Sequence, residues 1–175
     1  MSSTPRADPG LRSPASGAAL PASPAARVAA LDIGTNSIHL LVAEPDGAGG
    51  YRVLAREREM VRLGKSALAR GVLSPRAVRD GLEAILRMTT LARLKGAGRV
   101  EAVATSAVRE AANGDEFLAR VRALTGVETR KLTGAEEGAL VFRAVRHAVD
   151  LGRGWTVLGD VGGGSTEWCT ARDGA

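Results

Sequence analysis

The sequence predicts an α/β domain built on a mixed sheet, and three observations carry that expectation. Three alternating apolar segments, at 28–33, 37–44 and 51–58, follow one another with short Gly-containing turns between them, the pattern of an antiparallel meander. From residue 74 onward, helical and strand periodicities alternate. Finally, a strand–turn–strand pattern occurs twice, 128 positions apart: Asp32-Ile-Gly-Thr-Asn-Ser37 and Asp160-Val-Gly-Gly-Gly-Ser165, with an acid at the mouth of each turn.

Each element has a local cause. Residues 28–31 and 38–43 are apolar runs flanking the first turn, and Pro45-Asp46-Gly47 with Gly49-Gly50 turns the chain into the third strand. Ser74-Pro75 opens a helix, with Ser as N-cap and Pro in the first turn. Val78, Leu82, Ile85, Leu86 and Thr89 keep one face of it apolar to about Leu94, and Gly96 and Gly98 end it. Residues 99–105 alternate as a strand, a short helix runs from Asp115 to Gly126, and 127–132 form another strand. A helix over 134–149 precedes a last pair of strands, 155–160 and 166–171, around the second Gly-rich turn.

Composition narrows the class. Residues 1–26 hold five of the seven prolines amid Ser, Ala and Gly, too little apolar surface to offset ordering, and a disordered tail is expected there. Residues 27–150 then form an N-terminal domain. The chain stops just after Asp173-Gly174, a strong hairpin-turn signal with no strand following it, so 151–175 are expected to be the start of a second, truncated domain. No apolar run suffices to span a bilayer, and neither a membrane partner nor a secretory signal is expected. The single cysteine, Cys169, excludes an internal disulfide and fits a reducing cytoplasm. The net charge of +5 suits a polyanion, but Arg on solvated faces explains it equally well. With aromatic residues at 3%, stacking on nucleic-acid bases is not expected.

The repeated turn has a specific chemistry. A Gly-rich turn lets backbone N–H groups approach an anion, and Ser or Thr hydroxyls add donors. A carboxylate beside it would repel a bare phosphate, so Asp32 and Asp160 suggest a hard cation such as Mg²⁺ in between. Two such grips suggest a polyphosphate held from two sides.

Other motifs add candidates and decoys. Thr133 and Glu136 have capping-box spacing, which occupies Glu136 with backbone N–H groups. Glu137 instead leads the stripe Leu140, Val141, Ala144, Val145 and Ala148, and is either a base in a cleft or a complement to the helix dipole. Arg109 follows a strand that ends in Thr105 and Ser106, and is either a bidentate fork for phosphate or half of a surface ion pair. Gly64-Lys65-Ser66 imitates the end of a P-loop, but Glu59 stands where that motif needs Gly, and no strand is expected to feed directly into a helix there. His39 and His147 lie far apart without Cys or acid at metal spacing, so zinc is not expected.

Four segments occur in register: Ala30–Ala43, Ala104–Asn113, Thr133–Glu137 and Gly159–Glu167. Together they resemble the exopolyphosphatase and guanosine-pentaphosphate phosphatase (Ppx/GppA) family over roughly residues 27–171. The resemblance implies the actin-like ATPase superfamily fold, in which two ribonuclease-H-like domains flank a phosphate cleft. It implies Mg²⁺-dependent release of terminal phosphate from inorganic polyphosphate or of the 5′ γ-phosphate from guanosine pentaphosphate. It makes Glu137 the base and makes Gly34, Thr35, Asn36, Ser37, Gly162, Gly163, Gly164, Ser165 and Thr166 the two phosphate loops. Asp32, Asp160 and Glu167 become the metal-side acids and Arg109 a phosphate contact. A homodimer is implied for a full-length member. A non-catalytic phosphate- or alarmone-binding module is the alternative, because most of the second domain is absent from the sequence. A kinase of the same superfamily is a third, against which the Thr133–Glu137 motif argues.

Overall fold

The computed structural model describes residues 27–174; the tail expected over 1–26 lies outside them. A five-stranded sheet holds β1 (Val28–Ile33), β2 (Ile38–Pro45), β3 (Tyr51–Glu59), β4 (Arg99–Ala104) and β5 (Thr129–Lys131) in the order β3-β2-β1-β4-β5. β1, β2 and β3 are antiparallel neighbours, while β4 runs parallel to β1 and β5 parallel to β4. The helices are α1 (Gly64–Arg70), α2 (Pro75–Leu94), α3 (Ser106–Glu110), α4 (Gly114–Thr125) and α5 (Gly134–Ala148). A separate two-stranded sheet pairs β6 (Trp155–Val161) with β7 (Thr166–Arg172).

The alternation read in the sequence sets the core. Ala29, Leu31 and Ile33 of β1 and Ile38, Leu40 and Val42 of β2 are buried, in one cluster with Val78, Leu82, Ile85 and Met88 of α2 and Phe117 and Val121 of α4. Glu44 continues the buried face of β2 and is satisfied by Arg27, at 2.9 Å, and by Arg52, whose hydrogen bonds and charge hold its carboxyl below the usual range. At the start of α2 the Ser74 hydroxyl accepts from the Ala77 N–H at 3.2 Å, with Pro75 in the first turn. Asn113 ties the start of α4 to the loop before α2, accepting from Leu73 N–H at 2.8 Å and donating to Leu73 C=O at 3.0 Å.

The structure departs from the sequence reading at four places. α1 was not expected: β3 ends at Glu59 and a helix begins at Gly64, so one ground for rejecting Gly64-Lys65-Ser66 fails, although Glu59 still breaks the P-loop spacing. α3 was not expected either; its five residues are too few for a periodicity to show. The strand expected over 127–132 is only Thr129–Lys131, because pairing to β4 covers three residues. The stripe of α5 is the larger correction. Leu140, Ala144 and Ala148 are exposed, and Gly138 is the buried residue of that helix.

Candidate active site

The two repeated turns adopt one geometry. In the first, Ile33 pairs with Ile38, Asp32 with His39, and the Gly34 N–H donates to Ser37 C=O at 3.1 Å. In the second, Val161 pairs with Thr166, Asp160 with Glu167, and the Gly162 N–H donates to Ser165 C=O at 3.0 Å. Close approach demands glycine at 34, where a Cβ would stand 2.8 Å from Ser37 O, and favours it at 162, where a Cβ would make a tight 3.2 Å contact with Ser165 O. Among the described residues, neither turn uses the N–H groups of its two central residues, Thr35 and Asn36 or Gly163 and Gly164, for a backbone hydrogen bond, which leaves them available to an anion.

The turns abut. A Cβ on Gly163 would lie 2.3 Å from Asn36 Nδ2, and one on Gly164 would meet Ser106 Oγ at 2.7 Å and Thr35 Oγ1 at 2.8 Å. The triple glycine thus lets the β6–β7 hairpin seat itself on the first turn and on α3. The first turn is itself held from behind: Gly64 N–H donates to Thr35 C=O at 2.8 Å and Arg62 N–H to Asn36 C=O at 2.8 Å.

Four acids converge around this junction. Asp32 is solvent-accessible but crowded on most sides by protein, as befits a cleft wall, and that crowding raises its carboxyl; His39 opposes the rise and Asp160 adds to it. Glu137 lies at the start of α5 and is also raised, first by burial, then by the charge of Glu167, with Arg109 opposing and Asp32 contributing. Gly138 brings Glu137 and Glu167 together: a Cβ there would touch Cys169 Sγ at 3.0 Å and Glu167 Cβ at 3.7 Å. Glu167 Oε2 is buried without a hydrogen-bond partner among the described residues. Glu136, by contrast, completes the capping box, accepting from Thr133 N–H at 2.8 Å while Thr133 Oγ1 accepts from Glu136 N–H at 3.2 Å. The Thr133 backbone bond, then the Thr133 hydroxyl and Arg130, hold its carboxyl low.

Arg109 reaches from α3 to α5. Its Nη1 donates to Leu132 C=O at 2.7 Å and lies 3.4 Å from Glu137 Oε2, and its Nε donates to Glu110 at 2.9 Å. Arg109 thus pairs with Glu110 and with Glu137, and its guanidinium stands beside the candidate base. Thr166 opens β7 immediately after the second turn, and Ser37 and Ser165 are the residues whose carbonyls close the two turns.

Among the described residues no group of three or more His, Cys, Asp or Glu side chains stands close enough to hold a metal ion, so Asp32, Asp160 and Glu167 do not form a closed cage. The donor set nevertheless fits Mg²⁺, which uses one or two carboxylates and fills its other positions with water and phosphate oxygens. The charge of Asp160 adds to the rise of Asp32, and Glu167 Oε2 has no hydrogen-bond partner among the described residues, both of which are compatible with a cation between them.

Two residues of this junction were given no place in the site by sequence reasoning, which weighed His39 only as a zinc ligand. His39 faces Asp32 across the first hairpin and its Nε2 lies 2.7 Å from Ser37 Oγ. The signal was present, since His39 occupies the place that Glu167 fills in the second copy of the repeat. Ser106, buried beneath Gly164, was read only as the polar end of a strand.

A mixed sheet ordered β3-β2-β1-β4-β5, carrying a Gly turn between its first two strands, is the ribonuclease-H-like fold of the actin-like ATPase superfamily. Residues 41–174 match the family model of the Ppx/GppA phosphatase family. The chain belongs to that family. It is 36% identical over 141 residues to exopolyphosphatase 1 of Mycobacterium leprae, covering 81% of this chain and 42% of that protein. Against exopolyphosphatase 2 of Mycobacterium tuberculosis it is 42% identical over 151 residues, covering 81% and 47%. The crystal structure of the Aquifex aeolicus Ppx/GppA family member superposes with a TM-score of 0.75 at 30% identity, over 85% of this chain and 48% of that one. An exopolyphosphatase from Cytophaga hutchinsonii superposes with a TM-score of 0.80 at 28% identity, over 84% and 47%. The chain spans less than half the length of each of these relatives.

Proposed function

We propose that this chain carries the phosphate-gripping part of a Mg²⁺-dependent hydrolase that releases terminal phosphate from inorganic polyphosphate, or the 5′ γ-phosphate from guanosine pentaphosphate. The observation behind the reading is the meeting of two like turns, each with an Asp at its mouth, in front of Glu137. The likeness to exopolyphosphatases of two mycobacteria supports the substrate class.

In this reading the unused N–H groups of Thr35, Asn36, Gly163 and Gly164 bind the phosphate oxygens, with the Thr35 hydroxyl beside them. Asp32, Asp160 and Glu167 would hold Mg²⁺, which when bound supplies positive charge to the phosphate oxygens. Glu137 orients a water and takes its proton as the oxygen attacks phosphorus in line with the leaving phosphate. Arg109 fixes the Glu137 carboxylate at 3.4 Å while Leu132 and Glu110 fix Arg109. Positioning and charge neutralisation account for most of the rate, because the transferred group needs little covalent help.

Phosphate release from long-chain polyphosphate, with and without Mg²⁺, tests the reading. The wild-type protein is expected to release phosphate only with Mg²⁺, and Glu137→Gln to slow release by about two orders of magnitude or more while still binding substrate. Near-normal turnover by that variant removes Glu137 from the chemistry. A phosphate- or alarmone-binding module without turnover is the second reading; binding by the wild-type protein with no release selects it.

A further inference from the structure

A cavity of about 670 Å³ lies between the end of β3, α1 and the first turns of α2. Four cations, Arg62, Lys65, Arg70 and Arg76, line it with one acid, Asp80. Asp80 is already engaged by Arg76 at 3.4 Å and Arg79 at 3.5 Å. Arg62, Lys65 and Arg70 form no ion pair among the described residues, so three charges remain uncompensated in one concavity. Cations gathered in a concave, low-dielectric wall focus their potential on whatever enters.

The cavity does not stand apart from the candidate active site. A neighbouring cavity of about 390 Å³ shares Arg62, Lys65 and Ala69 with it and opens at Asn36, in the first phosphate turn. Arg62 is the hinge between them. Its backbone is held in the left-handed region at φ 57, and its N–H donates to Asn36 C=O at 2.8 Å. A bulky residue with positive φ persists only where its surroundings fix it, here at the passage from turn to cleft.

We infer that this basic cleft holds the distal phosphates of a linear condensed-phosphate chain whose end lies at the paired turns. The inference rests on the hydrolase reading for where the chain ends. A linear polyphosphate repeats its charge along its length and gains from cations spaced along a track. No aromatic ring lines the cleft, so a guanine base finds no stacking platform there. The cleft therefore favours inorganic polyphosphate over guanosine pentaphosphate.

The test compares affinity for long-chain polyphosphate and for tripolyphosphate, by calorimetry across a range of salt, in the wild-type protein and two triple variants. One carries Lys65→Ala, Arg70→Ala and Arg76→Ala; the other keeps the charge with Lys65→Arg, Arg70→Lys and Arg76→Lys. Arg62 is left alone because its backbone holds the turn. The alanine variant is expected to lose about tenfold or more in long-chain affinity at low salt, with the salt slope falling by about one per cation removed. Its tripolyphosphate affinity and its circular dichroism should match wild type, and the charge-preserving variant should retain long-chain binding. Unchanged long-chain affinity in the folded alanine variant overturns the inference and leaves the hydrolase reading standing. Equal losses for both ligands overturn it too, since the cations would then belong to the turn site. Duplex DNA bound as tightly as polyphosphate through the same cations also overturns it, as a general polyanion surface. A wild-type protein that binds neither phosphate ligand sinks the hydrolase reading along with it.

Discussion

Asp32 and Glu137 carry raised carboxyl groups, and in each case burial is the first cause and a neighbouring acid adds to it. A base must be ionised to take a proton, so the acid limb of the turnover profile should lie above the ordinary glutamate range. Arg109 opposes the rise of Glu137, and Arg109→Leu should move that limb further up in pH. A kcat/KM profile whose limb stays at an ordinary glutamate value in both proteins contradicts this. The same shifts fix a stability trend. The folded state holds the protons of Asp32 and Glu137 more tightly than the unfolded state does. Their contribution is thus fully present below the ordinary carboxylate range and is lost as pH rises through the raised values. Asp32→Asn, which keeps the shape and removes the charge, should therefore raise the thermal midpoint at neutral pH, and the gain should vanish in acid. A lower midpoint at neutrality would show that Asp32 is structurally satisfied.

Among the elements, the β6–β7 hairpin is seated by absent side chains rather than by apolar cover. Gly164→Ala drives a methyl into Ser106 Oγ and Thr35 Oγ1, at 2.7 and 2.8 Å, and these atoms belong to a buried turn and a buried helix start. We expect the hairpin to shift while the five-stranded sheet keeps its cooperative unfolding, with turnover falling about a hundredfold for a displacement of roughly 1 Å. Turnover within a factor of two of wild type would mean that the two turns need no close approach. The sequence made this hairpin readable because its alternation and its repeat of the first turn are local properties. It did not make the contact between the turns readable, because that depends on where two sheets come to lie. The same limit explains α5. Its periodicity was plain, and it located Glu137 at the helix start, but periodicity says which residues share a face and not whether another element covers it. Leu140 is 44% exposed. Glu137 is instead half-buried through Gly138, which admits β7 beside it. α1 and α3 were invisible for another reason: seven and five residues are too short for a helical period to emerge from the apolar pattern.

For the whole molecule, a helix-backed sheet presents one turn and a two-stranded sheet presents its twin, so that opposed carboxylates face a common space. The fold was legible almost throughout, since β1, β2 and α2 announce themselves by alternation, turn residues and a Ser-Pro cap. The candidate residues were legible as a repeat and as a family resemblance; the same repeat aligns His39 with Glu167, whereas Ser106 emerged only from loop contact. The central claim is that both turns hold one anion through one cation. It is tested most directly by a double-mutant cycle of Asp32→Asn and Asp160→Asn, built on Glu137→Gln to prevent turnover, with Mg²⁺-dependent tripolyphosphate affinity measured by calorimetry. A shared cation predicts that each single change removes most of the Mg²⁺ enhancement and that the pair does little more, a coupling of about 0.5–3 kcal/mol. Strictly additive losses, or an enhancement indifferent to both aspartates, would contradict it.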